Sequence, residues 1–469
     1  MGRNSRVRVL NDRPLRAGAR YVLYWAQVNR RVDGNHGLLH AVELARQVHL
    51  PVLFYEELDC ESPQASDRSH TFLLDGVPET QRRLRQLGIG YVFYLRQRRS
   101  DPADVLDRLV ADAAVVVTDD YPLPPVASNN ELIPKRLDAG WHAVDSSCIV
   151  PASLFSKREY AARTFRPKIQ AKLAEYFVAP ETLKVPRRFA GPVPPFHAEV
   201  RPCAIAELVA GCEIDHSVPL SLTFQGGRGQ ADAHLERFVQ DNLRRFARHR
   251  NDPSAHATSE LSPYLHAGFI SPLEIALRVQ EQAAEDKLIA EEFLEELIVR
   301  RELAFNFARH VAPPYTLDCL PEWVRATLRK HGHDKRSPSY SRERFEKAET
   351  HDALWNATQK ELLLRGKIHG YYRMYWGKKI IEWSPTHEDA LATMIHLHDR
   401  YAIDGHDPNT YTNIYWCFGL HDRPWKERPV FGTIRYMSLE GMKRKTDVNA
   451  YMTEIAQLER TGRDPFRVQ

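Results

Sequence analysis

The first 145 residues carry their hydrophobic positions in short continuous runs separated by longer amphipathic stretches. The runs are RYVLYWA (20–26), LPVLFYE (50–56), GYVFYL (90–95), AAVVVTDD (113–120) and WHAVDS (141–146). Runs this short, apolar on both faces, predict the buried strands of a parallel sheet. Between them HGLLHAVELARQVH (36–49), residues 70–87 and PADVLDRLVADA (102–113) repeat at the helical period. Strand–helix alternation predicts a doubly wound, Rossmann-like α/β domain over 1–150.

The pattern changes after 150. Residues 151–178 are basic and mostly helical in pattern, and ETLKVPRRFAGPVPPFHAEVRP then sets Pro186, Pro192, Pro194, Pro195 and Pro202 in a short span. Proline at that density forbids regular structure and predicts an interdomain connector over 151–205. From 206 to 469 the helical period dominates, which predicts an all-helical domain. KLIAEEFLEELIVRRELAFNFARH (287–310) reads as one amphipathic helix, and DALWNATQKELLLRG (352–366) as another that ends on Gly366. HEDALATMIHLHDRYAID (387–404) is a further one, and no internal repeat interrupts the series.

Charge narrows the possible partners. The 65 basic residues against 61 acidic ones leave a net charge of only +4, so a nucleic-acid surface must come from local clustering. The 6 cysteines are scattered without a CxxC pair, which excludes a disulfide framework or a zinc site and fits a reducing cytoplasm. His331 with His333 and His396 with His398 sit two apart, a spacing that points side chains away from each other on a helix, so no metal site is expected. The basic N-terminus lacks an apolar signal core, and no apolar run reaches about 18 residues, so neither secretion nor a membrane span is expected. No GxGxxG follows the first strand and no Walker loop is present, which argues against a standard dinucleotide or nucleoside triphosphate site.

Four stretches carry candidate chemistry. GKIHGYYRMYWGKKIIEWSP (366–385) crowds aromatic rings beside Arg373; Trp376 and Trp383 fall on one helical face about 10.5 Å apart along the axis, as buried core or as a relay of oxidisable rings. TSELSPYLHAGFISP (258–272) offers hydroxyls ahead of a helix start, suited to an anion or to ordinary capping. Glu296 lies among charges, on a salt-bridged face or turned toward a substrate as a proton donor or acceptor. DRYAIDGHDPNTYTNIYWCFGLHDRPWKERPVFGTIRYM (399–437) clusters Asp404, Asp407 and Asn409, where a carboxylate near Arg373 would lock a salt bridge. Trp416 follows. Arg423, Lys426, Arg428, Arg435 and Lys443 to Lys445 then interleave with aromatics, a pattern for phosphates plus stacked bases or for a solvated face.

Taken together, RYVLYWAQVNRRVDGNHGLLHAVELA, EYAARTFRPKI, LSPYLHAGFISPLEIA, FLEELIVRREL, YYRMYWGKKIIEWSP, RYAIDGHDPN, HDRPWKERPVFGTIRYM and KRKTDV make the chain resemble, over nearly its whole length, a class II cyclobutane pyrimidine dimer (CPD) photolyase of the photolyase/cryptochrome superfamily. The resemblance implies an antenna domain followed by a helical domain that holds FAD. It implies light-driven repair of UV-damaged DNA, with electron transfer from excited reduced flavin to a lesion flipped out of the duplex. It implies a second, antenna pigment of the 8-hydroxy-5-deazaflavin type, and a monomeric cytoplasmic protein, nucleoid-associated in a bacterium.

Residue by residue, the resemblance assigns Trp376, Trp355 and Trp383 to an electron relay, Trp376 nearest the flavin and Trp383 at the exit. The Thr258–Ser259–Glu260–Leu261–Ser262 turn would hold FAD phosphates, with Arg373, His398, Asp404, Asp407 and Asn409 also on the cofactor. Glu296 would hydrogen-bond the lesion, with Arg300, Met374 and Trp416 against its bases. Arg250 and Asn251 would fill the gap left by the flipped pair, and Arg423 and Arg435 would grip phosphates. Three positions depart from the family pattern. His398 replaces an expected asparagine near flavin N5, Arg300 replaces a second tryptophan found in some relatives, and WCFGLHD is one residue shorter than usual. Two other readings stand beside repair: a cryptochrome-like blue-light receptor, favoured by His398 and disfavoured by the lack of a long tail after Gln469, and a cofactor-free DNA-binding module in which the aromatic rings are pure core.

Overall fold

A computed structural model describes residues 4–311, 313 and 315–468. All six strands of the sheet lie within the first 144 residues: β1 (Val7–Val9), β2 (Tyr21–Ala26), β3 (Val52–Asp59), β4 (Gly90–Arg96), β5 (Ala113–Asp119) and β6 (Gly140–Val144). Their order is β1-β6-β5-β2-β3-β4, parallel except for β1. The five apolar runs are thus the five parallel strands, and helices His36–Val48 and Asp67–Leu87 are among those that cover the sheet. β1 escapes the sequence pattern because VRV is too short and too exposed to show a period; its pairing with β6 is a tertiary event. Helix Val126–Arg136 is likewise absent from the pattern, since its composition is polar and includes Pro134.

β2 is first of the parallel strands in sequence yet central in the sheet, so the connections from β2 and from β5 leave in opposite directions. A crevice opens at the carboxyl ends of strands at such a switch point. Here it is a chamber of about 500 Å³ between the sheet and the helical half, bordered by Trp25, Gln27, His70, Tyr121, Asn129 and His266.

The proline-rich segment has neither helix nor strand from 177 to 201, yet it does more than connect. It straps the β4 side of the sheet. Phe189 N donates to Gly88 O at 2.9 Å, Ala198 N to Phe93 O at 2.8 Å, and Phe189 and Phe196 pack on the sheet core. The rest is helical. The predicted 287–310 helix starts only at Glu291, and its middle, Glu295–Arg300, is wound as a π-helix before Arg301–His310 resumes the α form. The wider turns re-phase the face that follows, a device that recurs at functional sites.

Buried polar bonds lock the two halves together. Glu302 accepts from the backbone N–H groups of Ile149 and Val150 at 2.6 and 3.1 Å; burial pushes its carboxyl up to about 8 against the pull of those donors. Arg68 spends its guanidinium on the carbonyls of Pro219, Leu362, Leu363 and Tyr401. Gly268, with φ +70°, lies so close to the loop after β2 that a Cβ there would sit 2.1 Å from Val28 O.

Gly268→Ala should therefore cost at least about 2 kcal/mol, from backbone strain and from separation of the halves. Gly18→Ala has the same left-handed strain, φ +73°, but nothing within 4 Å, and should cost about 1 kcal/mol. Urea unfolding of the two variants separates the contributions, and equal costs would rule out the close approach at Gly268.

Candidate active site

Helix Gly370–Trp383 begins at His369, whose ring accepts the Tyr371 N–H. Its inward face is aromatic because it faces the largest core of the helical half. Trp376 and Trp383 do not meet along that face. Trp355, carried by helix Ala353–Arg365, stands between them. Its ring lies 6.3 Å from Trp376 with planes 5° apart, and 6.3 Å from Trp383 at 66°. Trp355 Nε1 donates to Trp376 O at 3.0 Å and Trp376 Nε1 to Gln359 Oε1 at 2.9 Å, so both indoles are fixed and their buried donors satisfied. Trp383, expected at an exit, is only 4% exposed; Tyr340, His351 and Lys379 cover it, with the His351 ring at 4.8 Å.

At the inner end Trp376 meets the edge of His398 at 4.9 Å. The His398 Nδ1 pairs with Met394 O at 3.0 Å and its Nε2 is buried without a partner. Burial first, then the Arg373 charge, pushes its pKa down to about 4, so the imidazole is neutral at physiological pH. Arg373 pairs with Asp404 at 3.1 Å, leaving its Nε buried and free. Burial alone would raise the Asp404 pKa; Arg373, Lys367 and a 2.7 Å hydrogen bond from Ser262 hold it below the ordinary value. The expected cofactor turn therefore joins the expected ion pair in space.

Within that turn Thr258 donates to Glu260, and Glu260 pairs with Lys367 at 2.5 Å, its carboxyl held well below the carboxylate range despite burial. Leu261 is buried in the core, and Ser259 lies beside it in the turn. The helix that follows, Ser262–His266, has five residues, so its dipole adds little and the turn's polarity is that of its own groups. Asp407 and Asn409 bond each other, Asn409 N and Nδ2 reaching Asp407 Oδ1 at 2.8 and 2.9 Å. Asp407 also accepts from Tyr121 and His266, tying this loop to the sheet. Lys367, Tyr121 and His266 were not legible beforehand; each is a single polar residue whose partner lies more than 100 positions away.

A second cluster lies at the surface. Arg250 pairs with Glu296 at 2.9 Å and contacts Glu292 at 3.5 Å. Arg250 and Asn251 end the Leu243–His249 helix and turn toward Asp252. Arg300 lies over the Trp416 ring at 5.1 Å, steadied by Glu295, which Arg166 grips with two hydrogen bonds. The Met374 sulfur is 3.9 Å from Cys417 Sγ, next to Trp416 in sequence. The Arg423 and Arg435 guanidiniums lie 5.1 and 5.3 Å from the centre of the Trp425 ring, and that indole is 40% exposed. Sequence reasoning passed over Trp425, although the RPWKERP run around it was the available signal. Among the described residues no His, Cys, Asp or Glu cluster fits a metal.

The residues present suit a large planar cofactor with polar ring edges. Two buried, unpartnered nitrogens, Arg373 Nε and His398 Nε2, lie around Trp376, with the Asp404 carboxylate and the turn hydroxyls nearby. The chamber at the strand ends has the same property. Trp25 Nε1 and both ring nitrogens of His70 border it, buried and without partners.

Known proteins agree with this architecture. The DNA photolyase family profile matches residues 22–187. Over 97% of this chain and 98% of the relative, the sequence is 40% identical to a deoxyribodipyrimidine photo-lyase of Methanothermobacter thermautotrophicus. A Synechocystis cryptochrome structure superposes with a TM-score of 0.68 at 16% identity, covering 96% of this chain and 90% of that one. An archaeal photolyase from Sulfolobus tokodaii, solved with two FAD molecules, gives 0.64 at 17% identity, with 95% of each chain covered.

His398 also generates a stability prediction. Its folded pKa of about 4 lies below the unfolded value of 6.5. The unfolded chain therefore binds the extra proton as pH falls through 6.5, and the penalty grows until about pH 4. His398→Asn lacks that penalty. Relative to the parent it should gain stability progressively from pH 6.5 down to 4, by up to about 3 kcal/mol. Urea unfolding at pH 7, 5.5 and 4.5 reads the difference, and a pH-independent gap would contradict a neutral buried imidazole.

Proposed function

The chain belongs to the DNA photolyase family, and we propose that it is a class II deoxyribodipyrimidine photo-lyase that repairs cyclobutane pyrimidine dimers in DNA. The observation that carries this reading is the meeting of three groups of residues: the Arg373–Asp404 pair with neutral His398, the Trp376–Trp355–Trp383 stack behind it, and the Glu296–Arg300–Trp416–Met374 cluster at the surface. FAD held by these residues would supply, in its reduced and light-excited form, the electron that opens the cyclobutane ring, and the opened pair would return it.

The protein's own groups do the rest. Arg373, Asp404, His398, Asp407 and Asn409, with the Thr258–Ser262 turn, bind and orient the cofactor. The three indoles pass electrons inward one step at a time; ring separations of 6.3 Å and burial suit such hopping. Arg250 holds the Glu296 carboxyl in the surface cluster until a lesion displaces it; Glu296 then hydrogen-bonds the dimer. Arg300 and Trp416 supply a flat cationic wall on which a flipped pyrimidine pair stacks, Met374 closing one side. Arg250 and Asn251 enter the gap left in the duplex, and Arg423 and Arg435 hold phosphates, with Trp425 in contact with both. The chamber at the switch point takes an antenna pigment of the deazaflavin class, for which unpartnered His70 and Trp25 offer hydrogen bonds. UV-damaged DNA is the partner, and a monomer suffices. No described helix is long and apolar enough to cross a membrane.

Illuminated, chemically reduced protein should return intact thymines from a single dimer in an oligonucleotide, and dark samples should not. Binding without repair, with reduced FAD present, would move the assignment to a blue-light receptor. Glu296→Ala should lower repair about tenfold or more while FAD stays bound, the loss of one hydrogen bond to a charged group. Trp376→Phe should abolish photoreduction of oxidised FAD and spare repair by chemically reduced protein; intact photoreduction would remove Trp376 from the relay.

A further inference from the structure

Lys443, Arg444 and Lys445 are exposed, and among the described residues no carboxylate pairs with any of them. Elsewhere on this surface arginines and lysines commonly have an acidic partner, as Arg278 with Glu236 or Lys360 with Glu459. The segment is also held rigidly. Met442, Thr446 and Val448 are buried on either side of the three cations. Thr446 Oγ1 pairs with Tyr372 OH at 2.8 Å, which fixes the segment to the helix that carries Met374 and Trp376. Asp447 N donates to Asp252 Oδ2 at 3.4 Å, which fixes it to the turn that begins at Arg250. Three long cationic side chains on an ordered backbone, left unneutralised, form a site for a polyanion of fixed geometry rather than a solubilising surface.

Two clefts border the segment. One, of about 450 Å³, runs from Asp252 along Lys443 to Asn449. The other, of about 290 Å³, shares Arg444 and Lys445 and continues to Trp425 and Arg435. The Arg250–Asp252 turn therefore has different neighbours at its two ends. Arg250 faces Glu296 and the lesion cluster, and Asp252 faces the 443–447 segment. A turn inserted into a duplex separates the strand whose bases have left from the strand that keeps its bases.

We propose that Lys443, Arg444 and Lys445 grip the phosphates of the undamaged strand, opposite the lesion. This rests on the repair reading above. Lys443 borders only the cleft on the Asp252 side, while Arg444 and Lys445 reach toward both clefts and hold the two backbones at a set spacing. The segment accordingly adds affinity for duplex DNA and little for a single strand.

The test uses full-length, FAD-loaded protein and an oligonucleotide carrying one thymine dimer, single-stranded or annealed. For the Lys443→Ala/Arg444→Ala/Lys445→Ala variant, duplex affinity should fall roughly tenfold or more near 0.15 M salt, and the salt slope should fall by about two to three. Single-strand affinity should change less than about twofold. Lys443→Glu alone should reproduce the duplex-selective loss, and both variants should melt as the parent does, since the positions are exposed. Equal losses on both substrates would overturn the proposal and assign the segment to the damaged strand; unchanged duplex binding would overturn it outright. Light-driven repair of the annealed dimer by the parent protein reports separately on the function, and its absence would overturn both readings.

Discussion

The centre of the helical half depends on keeping one carboxylate, Asp404, ionised while it is 5% exposed. Burial opposes that charge, and the surroundings repay the cost with Arg373 at 3.1 Å, the Ser262 hydroxyl at 2.7 Å and the more distant Lys367. Each compensating group comes from a different segment: the 258–262 turn, the Gly370–Trp383 helix and the loop ahead of it. Deleting one partner of such a buried pair typically costs 3–5 kcal/mol, because the other charge is stranded. The same cost forces the three segments to meet at one point. Positioning of the cofactor turn and of the Trp376 helix is thereby a consequence of charge neutralisation, rather than an extra requirement on the fold.

The aromatic stack uses the opposite logic. Trp355 and Trp376 need no charge, only satisfied indole donors and dense packing, and both are provided by the protein itself. A stack held this way keeps its ring spacing when loops at the surface move. The π-helical turns at Glu295–Arg300 divide the same continuous helix between two tasks. Their surface side presents Glu296 to Arg250 and Arg300 to Trp416, and the resumed α-helix sends Glu302 inward to the N–H groups of Ile149 and Val150. With a regular α-helix throughout, the six steps from 296 to 302 would turn the chain about 600° instead of the smaller angle that π turns allow, so one of the two contacts would be lost.

Much of this was legible in the sequence, for identifiable reasons. The five parallel strands are buried on both faces, so each is an unbroken apolar run that composition alone exposes. Gly366 closes its helix in the left-handed conformation that the sequence stop signal predicts. What stayed hidden was tertiary. β1 is a strand only because β6 offers it an edge. The spacing of Trp376 and Trp383 put them on one face about 10.5 Å apart; that Trp355 stands between them came from the family resemblance and not from the helical period, because it enters from another helix. Lys367 and Tyr121 find Glu260 and Asp407 across 107 and 286 positions, and no local pattern encodes such pairings. The π turns were invisible because an extra residue in a helix leaves hydrophobic periodicity nearly intact over a single turn.

The distribution of charge follows from the same accounting. A net charge of +4 on 469 residues gives a weak overall field. Yet Arg423, Lys426, Arg428, Arg435 and the 443–445 segment are not paired with carboxylates among the described residues, and all follow the last strand of the fold by nearly 300 positions. Pairing elsewhere cancels most of the positive charge locally, so the unpaired cations dominate the potential on their own face. Their effect reaches about one Debye length, near 8 Å at physiological salt, comparable to the distance between a protein surface and a docked phosphate backbone. A protein with this arrangement attracts DNA to one face without becoming a general polycation.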